Sequence, residues 1–153
     1  YGAPSHVQLA IIYQESNFAS DAKPPREKLF GMVPWFRPTT AYGFAQAVDD
    51  TWEWYKLKTG NKGADRDDFD DAADFVGWYS TISQRTLGIS KWDAYNQYLA
   101  YHEGHGGFKR RTFNNKKWLL DVAKKVDGYS KTYAAQLAAC EDDLDSGFSL
   151  WPF

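Results

Sequence analysis

The chain has 153 residues, and 18 Lys plus Arg against 20 Asp plus Glu leave a formal net charge of −2. That length suits one domain with its own core, and the balance argues against a dedicated nucleic-acid binder, which carries a basic excess. The longest apolar runs, such as Leu9 to Ile12, fall far short of the ~20 residues that cross a bilayer. The single cysteine, Cys140, can neither close an internal disulfide nor build a metal site alone. Aromatic residues make up 18% of the chain, as seven Trp, ten Tyr and ten Phe. Such a surplus fills cores and also lines grooves that hold flat, amphipathic ligands such as sugars.

Ser5 to about Phe18 reads as a helix. Ser5 is placed to cap it and Gln8 to complete a capping box. Val7, Ala10, Ile11 and Gln14 share a stripe that Leu9, Ile12 and Tyr13 widen, as in a well-buried helix. Ala19 to Tyr42 then holds four of the six prolines, Pro24, Pro25, Pro34 and Pro38. Prolines break helices, so this is a long ordered loop, and loops of that length in a compact domain are usually functional. The segment before it is too short to fold alone, so the loop joins parts of a single domain spanning 1–153.

The remainder reads as helical. Asp50 caps a helix from Thr51 to Lys58, and Gly60 stops it. Asp67 or Asp68 starts another, running to about Arg85, with Phe69, Ala72, Ala73, Val76, Tyr79 and Ile82 at helical spacing. Ser90 caps a helix from Lys91 to about Glu103, with Trp92, Tyr95, Leu99 and His102 on one face, which Gly104, Gly106 and Gly107 end in a tight turn. One further helix spans about Asn115 to Val126, Gly128 breaks it, and another runs from about Lys131 to Leu144. No alternating run of β-branched residues suggests a sheet. The fold class is all-α, with room for a small two-stranded turn in the proline-rich loop.

Glu15 is the first candidate for chemistry. It lies near the C-terminal end of an apolar helix, where the macrodipole disfavours a carboxylate, and Tyr13 and Phe18 as neighbours favour its protonated form. A carboxylic acid held protonated is what a general acid for glycosidic cleavage must be; the plainer reading is a surface glutamate at a helix end. Glu103 has the same position before the glycine turn, within His102-Glu103-Gly104-His105. Zinc proteases need their two histidines four apart, and here they are three apart. A hydrogen-bonded cluster lining a cleft is therefore preferred to a metal site.

The acidic run Asp65 to Asp71 lacks the glycine and terminal glutamate of a calcium loop and reads as a solvated helix start. Lys109-Arg110-Arg111 with Lys116-Lys117 reads as solvated too, with contact to an anionic polymer as the alternative. Ser16 lacks a Gly-x-Ser-x-Gly frame, and the acidic surroundings of Cys140 oppose a thiolate. Core packing is the expected role of Cys140.

Three segments together carry a resemblance. Glu15-Ser16, followed by Asn17-Phe18, looks like a catalytic Glu-Ser at a helix end. Gly43-Phe44-Ala45-Gln46, preceded by Ala41-Tyr42 and followed by Thr51-Trp52, looks like a Gly-Leu-Met-Gln signature. Ala100-Tyr101-His102, continuing into Glu103-Gly104-His105-Gly106-Gly107, looks like an Ala-Tyr-Asn motif before a glycine-rich turn. In this order, over roughly residues 5–120, the chain resembles the lysozyme-like catalytic domain of soluble-type (SLT) lytic transglycosylases, which is related to goose-type lysozyme. The motif-bearing part would be followed by C-terminal helices over about 115–144. Three departures stand out: the long loop before Gly43, Pro24 where the family often has a serine, and His102 in place of asparagine.

The resemblance implies cleavage of peptidoglycan between N-acetylmuramic acid and N-acetylglucosamine, leaving 1,6-anhydro ends, with Glu15 as the one catalytic residue and neither metal nor cofactor. It implies substrate contacts from Ser16, Tyr42, Phe44, Gln46, Tyr101, His102 and Glu103, and stacking of sugars on Tyr42, Trp35, Phe36 or Trp52. The proline-rich loop is expected to form one wall of the glycan cleft. Two alternatives stay open: a goose-type hydrolase whose second carboxylate is Asp49, Asp50 or Glu103, and a catalytically impaired glycan-binding protein. The expected partner is the glycan strand of peptidoglycan, with no nucleic acid and no transmembrane segment. The expected location is the periplasm of a Gram-negative cell. The abrupt opening at Tyr1 suggests a leader removed upstream and leaves open an outer-membrane lipid anchor there.

Overall fold

The computed structural model describes residues 1–23 and 40–148, with side chains to residue 143. Five α-helices follow one another among them: α1 (Ser5–Ser16), α2 (Asp49–Thr59), α3 (Phe69–Leu87), α4 (Ala94–Lys109) and α5 (Lys117–Phe148), with a short 3-10 turn at Thr112–Asn115. No strand occurs among the described residues, where an isolated antiparallel bridge pairs Tyr42 with Ala47. The fold is all-α. None of the described helices is long and apolar enough to cross a membrane.

The most apolar helix is also the central one. Val7, Ala10, Ile11 and Ile12 of α1 are all buried, and α3, α4 and α5 pack around them. A helix apolar on most sides has no solvated face to offer, so it is enclosed. Its start differs from the expected capping box. Pro4 is the cap residue, with no side-chain cap bond, and its carbonyl accepts from the Val7 and Gln8 amides at 3.1 and 3.2 Å. The Gln8 amide side chain donates instead to the Ala3 carbonyl at 3.0 Å. Proline pre-sets an extended entry to the helix, which leaves Ser5 as its first residue rather than its cap.

Part of the aromatic surplus forms a second layer. Trp52 and Tyr55 of α2 meet Phe75 and Trp78 of α3 at ring separations of 5.2–5.4 Å, and Tyr79 and Tyr101 extend the array to α4 at 5.2 Å. Asp68 caps α3 by accepting from the Asp71 amide at 3.0 Å, and Gly60 ends α2 in the left-handed conformation, both as expected.

α4 starts later than Ser90 suggests. Asp93 caps it, accepting from the Asn96 amide at 3.0 Å, while Ser90 accepts from the Trp92 amide in the turn before. Trp92, expected on the buried face, is 70% exposed. The expected glycine stop is a kink instead. Gly104 alone leaves helical geometry, at φ 75°, ψ 163°, and the helix resumes to Lys109.

The C-terminal region is one helix where two are expected. Leu119, Ala123, Val126 and Ser130 form a buried stripe that runs straight past Gly128, and tertiary burial outweighs the ~1 kcal/mol that an internal glycine costs. Tyr129 and Tyr133 continue the stripe onto Tyr13, at 4.8 and 6.4 Å. Cys140 lies past this contact and is exposed, not part of the core. A Cβ at Gly128 would meet no atom within 4 Å. Gly128→Ala should therefore stabilise the protein by about 0.5–1 kcal/mol, measurable as a higher urea midpoint at unchanged m value.

Candidate active site

The last turn of α1 delivers Glu15 to a cavity. Asn17 closes the helix in the left-handed conformation, its amide donating to the Tyr13 carbonyl at 2.8 Å. Glu15 lines a cavity of about 440 Å³ with Ala41, Gln46 to Val48 and Thr51 on one side, Phe75 and Tyr79 of α3, and Tyr101 to Gly104 of α4. This is the size of a small-molecule site, and polar and apolar groups share its lining about equally. The rings at this cavity come from α3 and α4. Tyr13 and Phe18 pair with each other at 5.5 Å and face α5 through Tyr129 and Tyr133.

The segment from Gly43 to Gln46 is held by its backbone and by one cation. The Gly43 amide donates to the Ala22 carbonyl at 3.0 Å, and the Phe44 amide to the Arg66 carbonyl at 3.2 Å. Gln46 sits at φ 50°, and its side-chain amide donates to the carbonyls of Ala22 and Gly43 at 2.7 and 2.9 Å. Arg66 Nη1 donates to the carbonyls of Thr40 and Ala47 at 2.9 and 3.0 Å and pairs with Asp49 at 2.9 Å. Its guanidinium also lies 5.4 Å from the centre of the Tyr42 ring. Both described ends of the proline-rich loop, Ala22 and Thr40, are thus tied to this segment.

The opposite wall is α4. Tyr98 and Tyr101, one turn apart, both sense Glu15. Burial first, then the Glu15 charge and a hydrogen bond to it, push the Tyr98 hydroxyl up. Burial and the same charge push that of Tyr101 well above its usual value, and burial takes Tyr79 to about 12. All three stay protonated donors at any physiological pH. Tyr101 donates its proton to the Ala45 carbonyl at 2.5 Å, which joins α4 to the Gly43–Gln46 segment.

Glu103 is different in kind. Its side chain is only 5% exposed and pairs with Lys116 Nζ at 2.9 Å, accepts from Thr112 Oγ1 at 2.9 Å, and lies 3.3 Å from His102 Nδ1. Burial alone would raise its pKa. Lys116, Thr112 and His102 overcome that and hold it below the usual glutamate value. His105, beyond the Gly104 kink, points elsewhere: it bonds Ser83 at 2.9 Å and stacks on Tyr79 at 4.3 Å. The two histidines therefore go to different neighbours, and among the described residues no group of three His, Cys, Asp or Glu side chains is placed to hold a metal.

A family model described as the transglycosylase SLT domain matches residues 1–140. The chain belongs to this family. Its activity class is peptidoglycan cleavage of the lytic-transglycosylase type. No curated protein and no solved structure matches the chain.

Of the residues singled out from the sequence of this SLT domain, the fold brings Glu15, Gln46, Tyr101, His102 and Glu103 to one cavity. The other three do not line it. Ser16 is buried and donates to the Ile12 carbonyl at 3.1 Å, because the helix end turns it inward. Tyr42 faces Arg66. Phe44 packs edge-on against Phe69 at 5.4 Å. Trp52, expected to stack on sugar, is 4% exposed and belongs to the core. Pro24, Trp35 and Phe36 lie outside the described residues.

Two residues escaped sequence reasoning. Tyr98 carries only the i, i+3 spacing from Tyr101 as a signal. Arg66 is hidden in an acidic run, where a lone cation is its one mark.

Two tests follow for the SLT domain. A Cβ at Gly43 (φ +81°) would fall 2.1 Å from the Arg66 carbonyl oxygen. Gly43→Ala should cost about 2–4 kcal/mol through strain and overpacking together, seen as a lower melting temperature. The depressed Glu103 pKa predicts a pH dependence. The carboxylate adds stability that is fully present above the usual 4.5 and is lost as pH falls through the lower folded value. Glu103→Gln should lose about 1 kcal/mol at neutral pH, and its acid unfolding curve should be flatter than the parent's.

Proposed function

We propose that this domain cuts the β-1,4 bond between N-acetylmuramic acid and N-acetylglucosamine and leaves 1,6-anhydro ends, with Glu15 as its single acid and base. The observation that carries this reading is the convergence of Glu15, Gln46 and Tyr101, from three segments distant in sequence, on one cavity. Protonated Glu15 gives its proton to the glycosidic oxygen as the C1–O bond breaks and the N-acetylglucosamine 4-hydroxyl leaves. The muramic 2-acetamido oxygen closes on C1 in place of a protein nucleophile. Ionised Glu15 then takes the proton of the C6 hydroxyl, whose oxygen attacks C1 and reopens the ring to the acetamide. Glu15 ends protonated as it began, and no water is consumed.

The surrounding groups suit these steps. The Tyr98 hydrogen bond helps to orient the Glu15 carboxyl group at the cavity. Tyr101 donates to Ala45, so its oxygen is left to accept, and an acetamido N–H is the donor that would turn the acetamide oxygen towards C1. Gln46 has both side-chain N–H groups engaged, so it offers sugar its oxygen and acts mainly by shaping the wall. On this reading the protein works outside the cytoplasm, where peptidoglycan lies, and we place it in the periplasm.

Glu103 favours a second reading. It is the other carboxylate lining the cavity, and it is held ionised, as an inverting hydrolase requires of the group that activates water. Asp49 is tied to Arg66 outside the lining, and Asp50 is also outside it. Mass spectrometry of digested peptidoglycan separates the readings. Transglycosylation gives anhydro ends lighter by one water, hydrolysis gives reducing ends, and a binding protein gives no cleavage. Glu15→Gln should fold normally and lose about 10²–10⁴-fold in cleavage rate; near-parental cleavage by the pure variant would overturn the role of Glu15.

A further inference from the structure

Trp118 is the second residue of α5 and is 49% exposed. Its ring stands edge-on to His102 at 5.4 Å, and His102 lines the cavity. Lys116, two residues earlier, reaches Glu103 in the same lining. The start of α5 therefore abuts two lining residues, although neither Lys116 nor Trp118 is itself in the lining. Among the described residues the other strongly exposed tryptophan is unlike it: Trp92 lies against His6, 5.3 Å away, and His6 is not a lining residue. The half-exposed Trp54 packs on Trp78.

We infer that Trp118 is a stacking platform for a further N-acetylhexosamine ring, beyond those held in the cavity. This rests on the glycan reading of the cavity. A substrate that is a polymer must leave the cavity at its rim, and a strand passing His102 runs onto the indole. A hexosamine ring presents axial C–H groups on one face and polar groups at its edge. It can cover the apolar face of a tryptophan while its hydroxyls stay in water. The contact with His102 sets the orientation of the indole before sugar arrives, which lowers the ordering cost of binding.

Calorimetric titration with β-1,4-linked N-acetylglucosamine oligomers tests this, in a Glu15→Gln background so that nothing is cut. Trp118→Ala should bind the hexamer about tenfold more weakly, bind the trimer as the parent does, and keep its melting temperature. Trp118→Tyr should recover most of the hexamer affinity. Equal hexamer affinity in the parent and Trp118→Ala would overturn the platform and leave the glycan reading standing. Equal weakening of trimer and hexamer would also overturn it, since Trp118 would then act on the cavity through His102. A parent that binds neither oligomer would overturn the platform and the glycan reading together.

Discussion

Val7, Ala10, Ile11 and Ile12 leave α1 with almost no solvated side, so α3, α4 and α5 must close around it. That enclosure places everything else. Glu15 sits half-buried in the last turn of α1, where a carboxyl on a packed helix faces a cavity without being sealed in the core. The helices that cover α1 then become the walls of that cavity. A side chain carried by a helix packed on three others is held by the packing of the domain, which fixes its position better than a loop could.

The second wall depends on Arg66. A single side chain bonds the carbonyls of Thr40 and Ala47, pairs with Asp49 and covers Tyr42, while its own carbonyl accepts from Phe44. The space left by the missing side chain of Gly43 lets the backbones come this close. The result is a rigid irregular segment whose Ala45 carbonyl receives the Tyr101 hydroxyl. Loop and helix are therefore joined across the cavity by a hydrogen bond between groups that are largely shielded from water, where such bonds hold geometry best.

The cavity separates its two carboxyl groups by environment. Glu103 is compensated by Lys116, Thr112 and His102, and stays ionised. Glu15 is sensed by Tyr98 and Tyr101, whose hydroxyls its charge helps to keep protonated.

The sequence by itself determined that the protein is all-helical and that α1 carries a buried stripe, and its motifs grouped Glu15 with Ser16, Tyr42, Phe44, Gln46, Tyr101, His102 and Glu103, five of which the fold brings to one cavity. Those conclusions rest on local periodicity and on short motifs, which are properties of neighbouring residues. It erred wherever a distant partner decided the outcome. Gly128 breaks a helix by propensity, yet the stripe from Leu119 to Ser130 packs continuously and carries α5 through it. The resemblance makes Trp52 a stacking platform and Phe44 a substrate contact, yet α3 claims both. Ser16 adjoins Glu15 in the chain, and a step of ~100° around the helix turns it to the core. Only the tertiary structure could assign Tyr98 to Glu15, and Arg66 to the Gly43–Gln46 segment. Those contacts join residues dozens of positions apart, and no local pattern encodes which distant groups the packing will bring within hydrogen-bond reach.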